Sequence, residues 1–368
     1  MSRVTGSVLL VGSVPGNNAH AVMDSCAKGL DDSLFALPDG ETGYRQGWIN
    51  FLAAKTYAAS EQLESITRPQ PVDPDDPDEW RAPGMDWMPR GFQDHWQFKV
   101  KEGTGPLHFE HLGYAQEARN SYQTFCTLRD QGIIPQGVRF QVSLPLIESG
   151  TRLFLGHSPE SFQPMWDAYR DAMRREVVRL SQEIPPCDLA VQWDIAAEVA
   201  SIESNDHDPM LGLPWDAPGD PFERYVQALV DLSQHVADET LLGLHLCYGD
   251  LGHKHFKQPQ DLGVVVRMAN AGVAAVSRPV DFVHMPVPRN RNDDGYFVPL
   301  ADLAIADAKL FLGLVHHTDG IRGTLKRLET AQKHASGFGI ATECGFGRRL
   351  PETIPALMRI HREAVAHL

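Results

Sequence analysis

Eight short apolar runs, each followed by a longer stretch of helical periodicity, constrain the fold of this chain more than any other feature. The alternation of such runs with amphipathic helices is typical of strands in a parallel sheet. Eight strand–helix units predict an α/β fold, a (β/α)8 TIM barrel formed by residues 1–368 as a single domain. The predicted strands are 8–13, 34–37, 138–143, 189–194, 241–246, 281–285, 309–315 and 338–343. The predicted helices are 17–30, 113–132, 159–183 with Ser158 as its N-cap, 222–237, 260–271, 298–308, 320–336 and 351–367.

Two irregular segments, about 62–110 and 203–221, interrupt this pattern. The Pro and Asp density of the first excludes a long regular element, and its aromatic residues are too many for a solvated linker. Both segments follow strand ends at the face where barrels build active sites, so we expect them to fold over a site. The alternative is that they cap the barrel and shape no pocket. The aromatic residues of the first segment are Trp80, Trp87, Phe92 and Trp96.

Composition excludes several classes of partner. A formal net charge of −15 argues against nucleic acid and against anionic membrane surfaces. The N-terminal apolar run is too short to span a membrane and is followed by turn residues rather than a cleavage-site pattern. Five cysteines in 368 residues do not resemble a secreted disulfide framework. We therefore predict a cytoplasmic protein that acts on a small molecule.

The stretch LHLCYG, at the end of the fifth predicted strand, contains two metal-binding side chains. His245 and Cys247 are two residues apart, so in an extended strand they point to the same face. An imidazole and a thiol side by side are half of a zinc site. The alternative is a core histidine beside a cysteine that packs as a small apolar residue.

Polar or metal-binding groups also follow the other predicted strands. Because the carboxyl ends of all barrel strands meet at one rim, we expect these groups to form one site, and this favours zinc over simple packing. In chain order the groups are Ser13, Asp39, Glu41, Ser143, Asp194, His245, Cys247, His284, His316, His317, Asp319 and Cys344.

Two segments carry a resemblance to a known family. The H-x-C of LHLCYG and the C-G-x-x-x-R of ECGFGRR match, in order and separation, the zinc-ligand segments of the catalytic barrel of cobalamin-independent methionine synthase. That family shares its fold with uroporphyrinogen decarboxylase. Its His, Cys, Glu and second Cys hold zinc, which activates a thiol as thiolate for attack on an alkyl donor. The resemblance implies Zn²⁺ as cofactor and His245, Cys247 and Cys344 as its ligands.

Further segments extend the resemblance over nearly the whole chain. VGSVPG resembles a segment that contacts an amino acid carboxylate, which implies Ser13, and LPDGETGYRQGWI and VQWD resemble segments that bind the amino group of homocysteine. These imply Glu41 and Asp194 as substrate-binding residues. Apart from the resemblance, Glu41 would equally be a carboxylate at a helix N-terminus and Asp194 an N-cap.

A proton-transfer residue is implied in the same way. LVHHTDG resembles the family's D-I-H-S segment, whose His transfers a proton, and this implies His317 or His316 as the acid. Asp194 stands with them among the candidate catalytic residues. The alternative is that one of the two histidines only packs or supports a ligand.

The sixth predicted strand departs from the family pattern. DFVHMPVPR has no carboxylate near its C-terminal end, where the family supplies its Glu ligand. His284 is therefore predicted as the fourth protein ligand, which would make the site less negative and favour the thiolate as leaving group. The alternative is that His284 only hydrogen-bonds substrate and that zinc keeps an open position.

The predicted function is zinc-dependent alkyl or methyl transfer to or from the sulfur of a small thiol or thioether substrate. A carbon–sulfur lyase is an alternative, because a site that stabilises a thiolate also assists thioether cleavage. A non-catalytic thiol- or metal-binding barrel is the alternative of another class. A decarboxylase is disfavoured, because no arginine cluster stands at the early strand ends.

Overall fold

The computed structural model describes residues 7–69, 95–204, 215–250 and 255–368. The strands in this part of the chain are β1 (Val8–Leu9), β2 (Leu34–Pro38), β3 (Leu63–Thr67), β4 (Gln97–Val100), β5 (Arg139–Pro145), β6 (Leu189–Ile195), β7 (Leu241–Leu246), β8 (Phe282–Pro286), β9 (Lys309–Val315) and β10 (Gly339–Thr342).

Eight of these strands form a closed barrel in which every neighbouring pair is parallel. The order around the barrel is β1-β2-β5-β6-β7-β8-β9-β10, and β10 pairs back to β1. This confirms the predicted (β/α)8 TIM barrel. The register places Asp194 on β6 opposite His245 on β7, and His245 opposite His284 on β8. Three predicted site residues therefore lie at the same level on three adjacent strands.

Helices follow the barrel strands, as the periodicity predicts. None of the helices in the described residues is long and apolar enough to cross a membrane. They are α1 (Ala19–Leu30), α2 (Asn50–Leu52), α3 (Tyr114–Asp130), α4 (Ile147–Thr151), α5 (Phe162–Glu183), α6 (Ala197–Ser204), α7 (Pro221–Ser233), α8 (Gly263–Ala275), α9 (Asp294–Phe297), α10 (Gly320–Ala331) and α11 (Ile354–Val365).

One helix prediction is wrong, and one helix begins later than predicted. The helix expected over 298–308 is only a 3-10 turn, Val298–Asp302, that follows the short α9. Ala306 adopts a positive φ of 50° in the connection to β9, a conformation that no α-helix contains. The helix expected from 159 begins at Phe162, after a 3-10 turn, and Ser158 makes no side-chain capping bond.

Aromatic rings close the floor of the barrel below the site. Phe35, Phe282 and Phe311 pack together, with the Phe35 ring centroid 4.9 Å from that of Phe282 and 5.4 Å from that of Phe311. Phe282 and His284 are two residues apart on β8, so both face the barrel interior. The barrel interior is therefore apolar at its floor, and the His284 imidazole lies nearer the carboxyl ends of the strands.

The predicted insertion contributes a small antiparallel sheet of β3 and β4, in which Leu63 pairs with Val100. Trp96 is buried and stacks on Phe98, with the ring centroids 5.6 Å apart. Trp80, Trp87 and Phe92 lie outside the described residues, as do residues 205–214 of the second irregular segment. The expectation that these segments fold over a site stays a prediction.

Candidate metal centre and active site

Three side chains from the ends of two strands converge at the rim. His245, Cys247 and Cys344 each offer one ligand atom, and these atoms all lie within 4.8 Å of one another. The two sulfur atoms are 3.7 Å apart, too far for a disulfide, and both thiols are free. Two sulfurs bound to one tetrahedral zinc at about 2.3 Å would be about 3.8 Å apart. The donor set and its spacing therefore fit zinc.

Sheet hydrogen bonding holds the first two of these ligands in place. The backbone N–H of Cys247 donates to the carbonyl of Ile195 at 3.0 Å, so the pairing of β7 with β6 continues one residue beyond the strand. His245 and Cys247 thus remain on one extended segment and face the same side, as their spacing predicts. Cys344 comes from the other direction, two residues after β10.

His284 contacts the metal cluster through His245. Its Nδ1 is 2.7 Å from Nδ1 of His245, and its Nε2 is 2.9 Å from the carbonyl oxygen of Thr342. A carbonyl only accepts, so Nε2 of His284 carries the proton and its Nδ1 accepts from Nδ1–H of His245. Nε2 of His245 is then the nitrogen with a free lone pair. His284 has no nitrogen left for a metal in this arrangement.

Burial keeps both imidazoles neutral. It lowers the pKa of His284 to about 3 and the pKa of His245 well below its ordinary value, with His284 as a further cause for His245. A neutral imidazole with a free lone pair is the form that binds metal ions. The histidine pair is therefore in the protonation state that the tautomer argument requires.

The surroundings of the two thiols favour a bound cation. The neighbouring Cys344 sulfur, and then burial, raise the pKa of Cys247 well above its ordinary value. Gly249 donates its backbone N–H to Cys247 Sγ at 3.3 Å, and Nη2 of Arg348 lies 3.8 Å from Cys344 Sγ. These donors favour sulfur as thiolate, but two adjacent thiolates, one of them buried, need a metal to hold both charges.

A cavity of about 80 Å³ opens over the cluster. Its wall is mostly apolar, and its polar lining comes from separate strand ends. Ser13, Glu41 and Asp194, which the sequence assigns to substrate, line this cavity together with the three candidate ligands. The structure therefore brings six of the predicted site residues to one place.

Asp194 is a buried carboxylate within β6. It accepts hydrogen bonds from Trp48 Nε1 at 3.0 Å and from Gln192 Nε2 at 2.9 Å. Burial raises the pKa of Asp194 to about 7. Because α6 begins only at Ala197, Asp194 is not the N-cap that the alternative interpretation required.

Glu41 is the second carboxylate of this cavity, and it sits on unusual backbone. Gly40 has a φ of 80° and Glu41 a φ of 50°, a conformation that side chains other than glycine adopt rarely. Burial, and then the charge of Asp194, raise the pKa of Glu41 well above its ordinary value. Strained backbone and a raised carboxylate pKa are both typical of functional sites.

Ser13 lies beneath the segment that carries Cys344. Its carbonyl accepts from the backbone N–H of Phe346 at 2.6 Å. A Cβ atom on Gly345 would come within 2.9 Å of the Ser13 hydroxyl, so glycine is needed for this close approach. The first and last strand ends are thus packed together beside the metal cluster.

The two candidate acids lie outside this cavity. Nδ1 of His316 is 3.5 Å from Oε1 of Glu343, and its Nε2 is 2.8 Å from the carbonyl of Val287. Glu343 also pairs with Nε2 of His255 at 3.0 Å. His316 is buried and His317 is partly exposed, and neither is among the described residues that line the cavity over the cluster.

Sequence reasoning missed several residues of this site. Trp48 holds Asp194, Arg348 joins Cys344 to Asp250, and Glu343 joins His316, which follows β9, to His255. Glu343 and Arg348 both flank Cys344 in ECGFGRR, so their proximity to a proposed ligand was the available signal. No sequence pattern indicated Trp48, because its hydrogen-bond partner Asp194 is 146 residues away.

No protein family model and no curated protein matches this chain. A candidate vitamin B12-independent methionine synthase from Listeria monocytogenes is 13% identical, with a TM-score of 0.53, over 95% of this chain and 87% of that one. A methyltransferase from Methanosarcina mazei is 11% identical, with a TM-score of 0.51, over 98% of this chain and 94% of that one. These solved structures share the fold of this chain.

Proposed function

We propose that this protein is a zinc-dependent enzyme that activates a small organosulfur substrate for alkyl transfer, in particular methyl transfer, to or from sulfur. One observation carries the proposal: the ligand atoms of His245, Cys247 and Cys344 meet within 4.8 Å on the wall of a cavity that two carboxylates also line. The names of the two similar barrels support methyl transfer as the reaction class.

The three candidate ligands would hold zinc on the wall of the cavity in which we place the substrate sulfur. Zinc held by two thiolates and one imidazole stabilises a substrate thiol as its thiolate at neutral pH. His284 orients His245 and fixes its tautomer, and Arg348 and Gly249 donate to the two cysteine sulfurs. These groups hold the thiolates and the imidazole ready before substrate binds.

The reaction breaks one bond to carbon and forms another. The thiolate sulfur attacks the alkyl carbon, the bond from carbon to the leaving atom breaks, and the leaving atom keeps that electron pair. The thiol releases one proton on binding, and Asp194, with its pKa of about 7 as a result of burial, is suited to accept it. The leaving group takes up one proton, for which His316 or His317 is the proposed donor.

Glu41 and Asp194 would bind a cationic group of the substrate, and Ser13 an anionic one. An ammonium group beside the two carboxylates would offset the burial and the repulsion that raise the pKa of Glu41. A substrate with both groups would be held with its sulfur towards Cys247 and Cys344. This pattern favours an amino-acid-like thiol.

Thioether cleavage and simple thiol binding stay alternatives. The argument for cleavage depended on His284 as a fourth ligand, and the hydrogen bonds of both its nitrogens remove that support. The raised pKa values of two cavity carboxylates favour catalysis over storage of a metal, because passive sites need no such groups.

The first test measures metal content. We expect the purified protein to hold about one zinc per chain and the variants Cys247→Ser and Cys344→Ser to lose most of it. Cys187→Ser is the matched control, since Cys187 is exposed, and should keep the metal. Full zinc occupancy in the double variant Cys247→Ser, Cys344→Ser would refute the proposed site.

The second test measures turnover. The zinc-loaded protein is given a panel of thiols with and without an amino group, together with methyl donors of several chemical classes, and loss of thiol is followed. We expect alkylation of an aminothiol, with a lower kcat/KM in Glu41→Gln and Asp194→Asn. Tight zinc binding with no turnover on any pair, and no release of thiol from thioethers, would favour the non-catalytic alternative.

A further inference from the structure

A second cavity, of about 370 Å³, adjoins the cavity over the metal cluster. Asp250 lines both cavities. Glu343 and Cys344 are consecutive, yet Glu343 lines the second cavity and Cys344 the first. The segment after β10 therefore forms a wall between the two spaces, with a candidate metal ligand on one side of it.

The second cavity is rich in hydrogen-bond donors. Its lining contains two arginines and two histidines, Arg289, Arg349, His255 and His316. Neutral donors come from Gln258, Asn290 and Thr318. Its acidic residues are Asp250 and Glu343.

Both carboxylates of this cavity already have side-chain partners. Asp250 pairs with Arg348 at 3.2 Å, and Arg348 belongs to the lining of the first cavity. Glu343 pairs with His255 at 3.0 Å. Among the described residues, neither Arg289 nor Arg349 forms an ion pair. Two guanidinium groups thus line this space without an ion-pair partner among the described residues.

One buried donor of this lining lacks a partner. Nε of Arg349 is buried and has no hydrogen-bond partner in the described part of the chain. A buried donor that makes no hydrogen bond costs about 1–3 kcal/mol, and more where the group is charged. Arginine does not lose its proton in proteins, so the cost cannot be relieved by neutralisation. An anion in the cavity would relieve it.

We propose that the second cavity binds an oxyanion, a carboxylate, phosphate or sulfonate group of a second substrate, with Arg289 and Arg349 as its charged contacts. Guanidinium groups bind such oxyanions with two parallel hydrogen bonds, and Asn290 and Thr318 complete the donor set. The assignment of this anion to the alkyl donor or acceptor rests on the proposed function. The oxyanion site itself does not rest on that function.

The position of this site has a consequence for the reaction. A molecule anchored by its anionic group at Arg289 and Arg349 would extend past Asp250 towards the metal cluster. His316 lines the same cavity, so its imidazole would stand beside that molecule. The two cavities would then hold the two partners of one transfer, with sulfur in the first and the anionic molecule in the second.

The experiment measures anion binding without turnover. The melting temperature of the zinc-loaded full chain is followed with sodium phosphate, sulfate, methanesulfonate and acetate, against sodium chloride at matched ionic strength. A ligand that binds only the folded state raises the melting temperature, so we expect at least one oxyanion to do so beyond chloride. The anion with the largest effect identifies the class, and its affinity is then measured by calorimetry.

Variants connect this effect to the cavity. In the double variant Arg289→Gln, Arg349→Gln we expect the affinity to fall at least about tenfold, because both charged contacts are lost. Arg322→Gln, which removes an exposed arginine on α10, is the matched control and should bind as the wild type does. Zinc content should be unchanged in both, which separates a failure of this site from a failure of the metal centre.

Two outcomes would overturn the proposal: no oxyanion effect beyond chloride, or an effect that survives in the double arginine variant. If that variant does not fold, selenate soaked into wild-type crystals replaces it. Anomalous density within hydrogen-bond distance of Arg289 and Arg349 would support the site, and density only elsewhere would refute it.

Discussion

At the scale of single residues, the contact between His245 and His284 decides how the proposed metal centre works. The two imidazoles and the carbonyl of Thr342 form one chain of hydrogen bonds with a defined direction. That chain places the proton of His245 on Nδ1 and leaves Nε2 for the metal. In this arrangement we expect His284 to act as a positioning residue; its role as the fourth ligand, which the strand pattern predicts, stays a prediction.

His284→Ala tests this assignment. We expect zinc affinity to fall about 10- to 100-fold, because His245 loses the acceptor that orients it, while the atoms bound to zinc stay the same. His284→Gln keeps an acceptor and should restore part of the affinity. X-ray absorption on the zinc-loaded variants reads out the bound atoms. Loss of one nitrogen from the zinc shell in His284→Ala would instead make His284 a ligand.

At the scale of elements, the approach of β9 to the segment after β10 fixes the position of Cys344. A Cβ atom on Gly313 of β9 would lie 2.7 Å from Cα of Glu343 and 3.1 Å from the carbonyl oxygen of Thr342. These contacts are to backbone atoms, which cannot move aside for an added methyl group as the end of a flexible side chain can. The glycine therefore allows the wall between the two cavities to lie against the barrel.

Gly313→Ala is predicted to disturb the metal centre as well as stability. The added methyl group should displace the segment that carries Cys344, costing about 1–3 kcal/mol of unfolding free energy and lowering zinc affinity. Gly272→Ala on α8 is the control, since its Cβ would press on Tyr225 and Leu229, away from the rim. Equal zinc affinity in the two variants, with equal loss of stability, would contradict the role given to Gly313.

At the scale of the whole molecule, buried acidic groups make stability depend on pH. Glu198 on α6 accepts hydrogen bonds from Ser149, and burial, with the charge of Glu148, raises its pKa to about 7. A raised pKa means that the folded state holds a proton which the unfolded state has already lost. The contribution to stability is therefore full below about pH 4.5 and is lost as the pH rises to about 7.

Glu198→Gln should remove this dependence. The variant gains stability relative to the wild type as the pH rises from about 5 to about 8, by up to roughly 3 kcal/mol, because the amide never has to ionise. Urea unfolding at several pH values measures the difference. Glu329→Gln, at an exposed position on α10, is the control and should show no such trend. A difference that does not change with pH would refute the raised pKa of Glu198.

The architecture and most element bounds follow from local patterns. Seven of the predicted helices have counterparts near the observed bounds, and all eight predicted barrel strands exist, because periodicity in a stretch of residues reports which face is buried. The exceptions have local causes: the chain turns at Ala306, with a positive φ, and a 3-10 turn precedes α5. The contribution of β3 and β4 could not be predicted, since a pairing across the insertion leaves no periodic signal.

The amino-acid sequence by itself determined which side chains reach the rim, because strand spacing and strand ends are local properties. That argument and the resemblance were enough to predict five residues of the candidate site: His245, Cys247, Cys344, Glu41 and Asp194. Only the tertiary structure decided which rim groups touch, since contacts between strands depend on register and on the close approach that residues such as Gly313 allow. The direction of the His284 ring, the pairing of Glu343 with His255, and the convergence of two arginines without an ion pair in the described part of the chain all arise from such contacts.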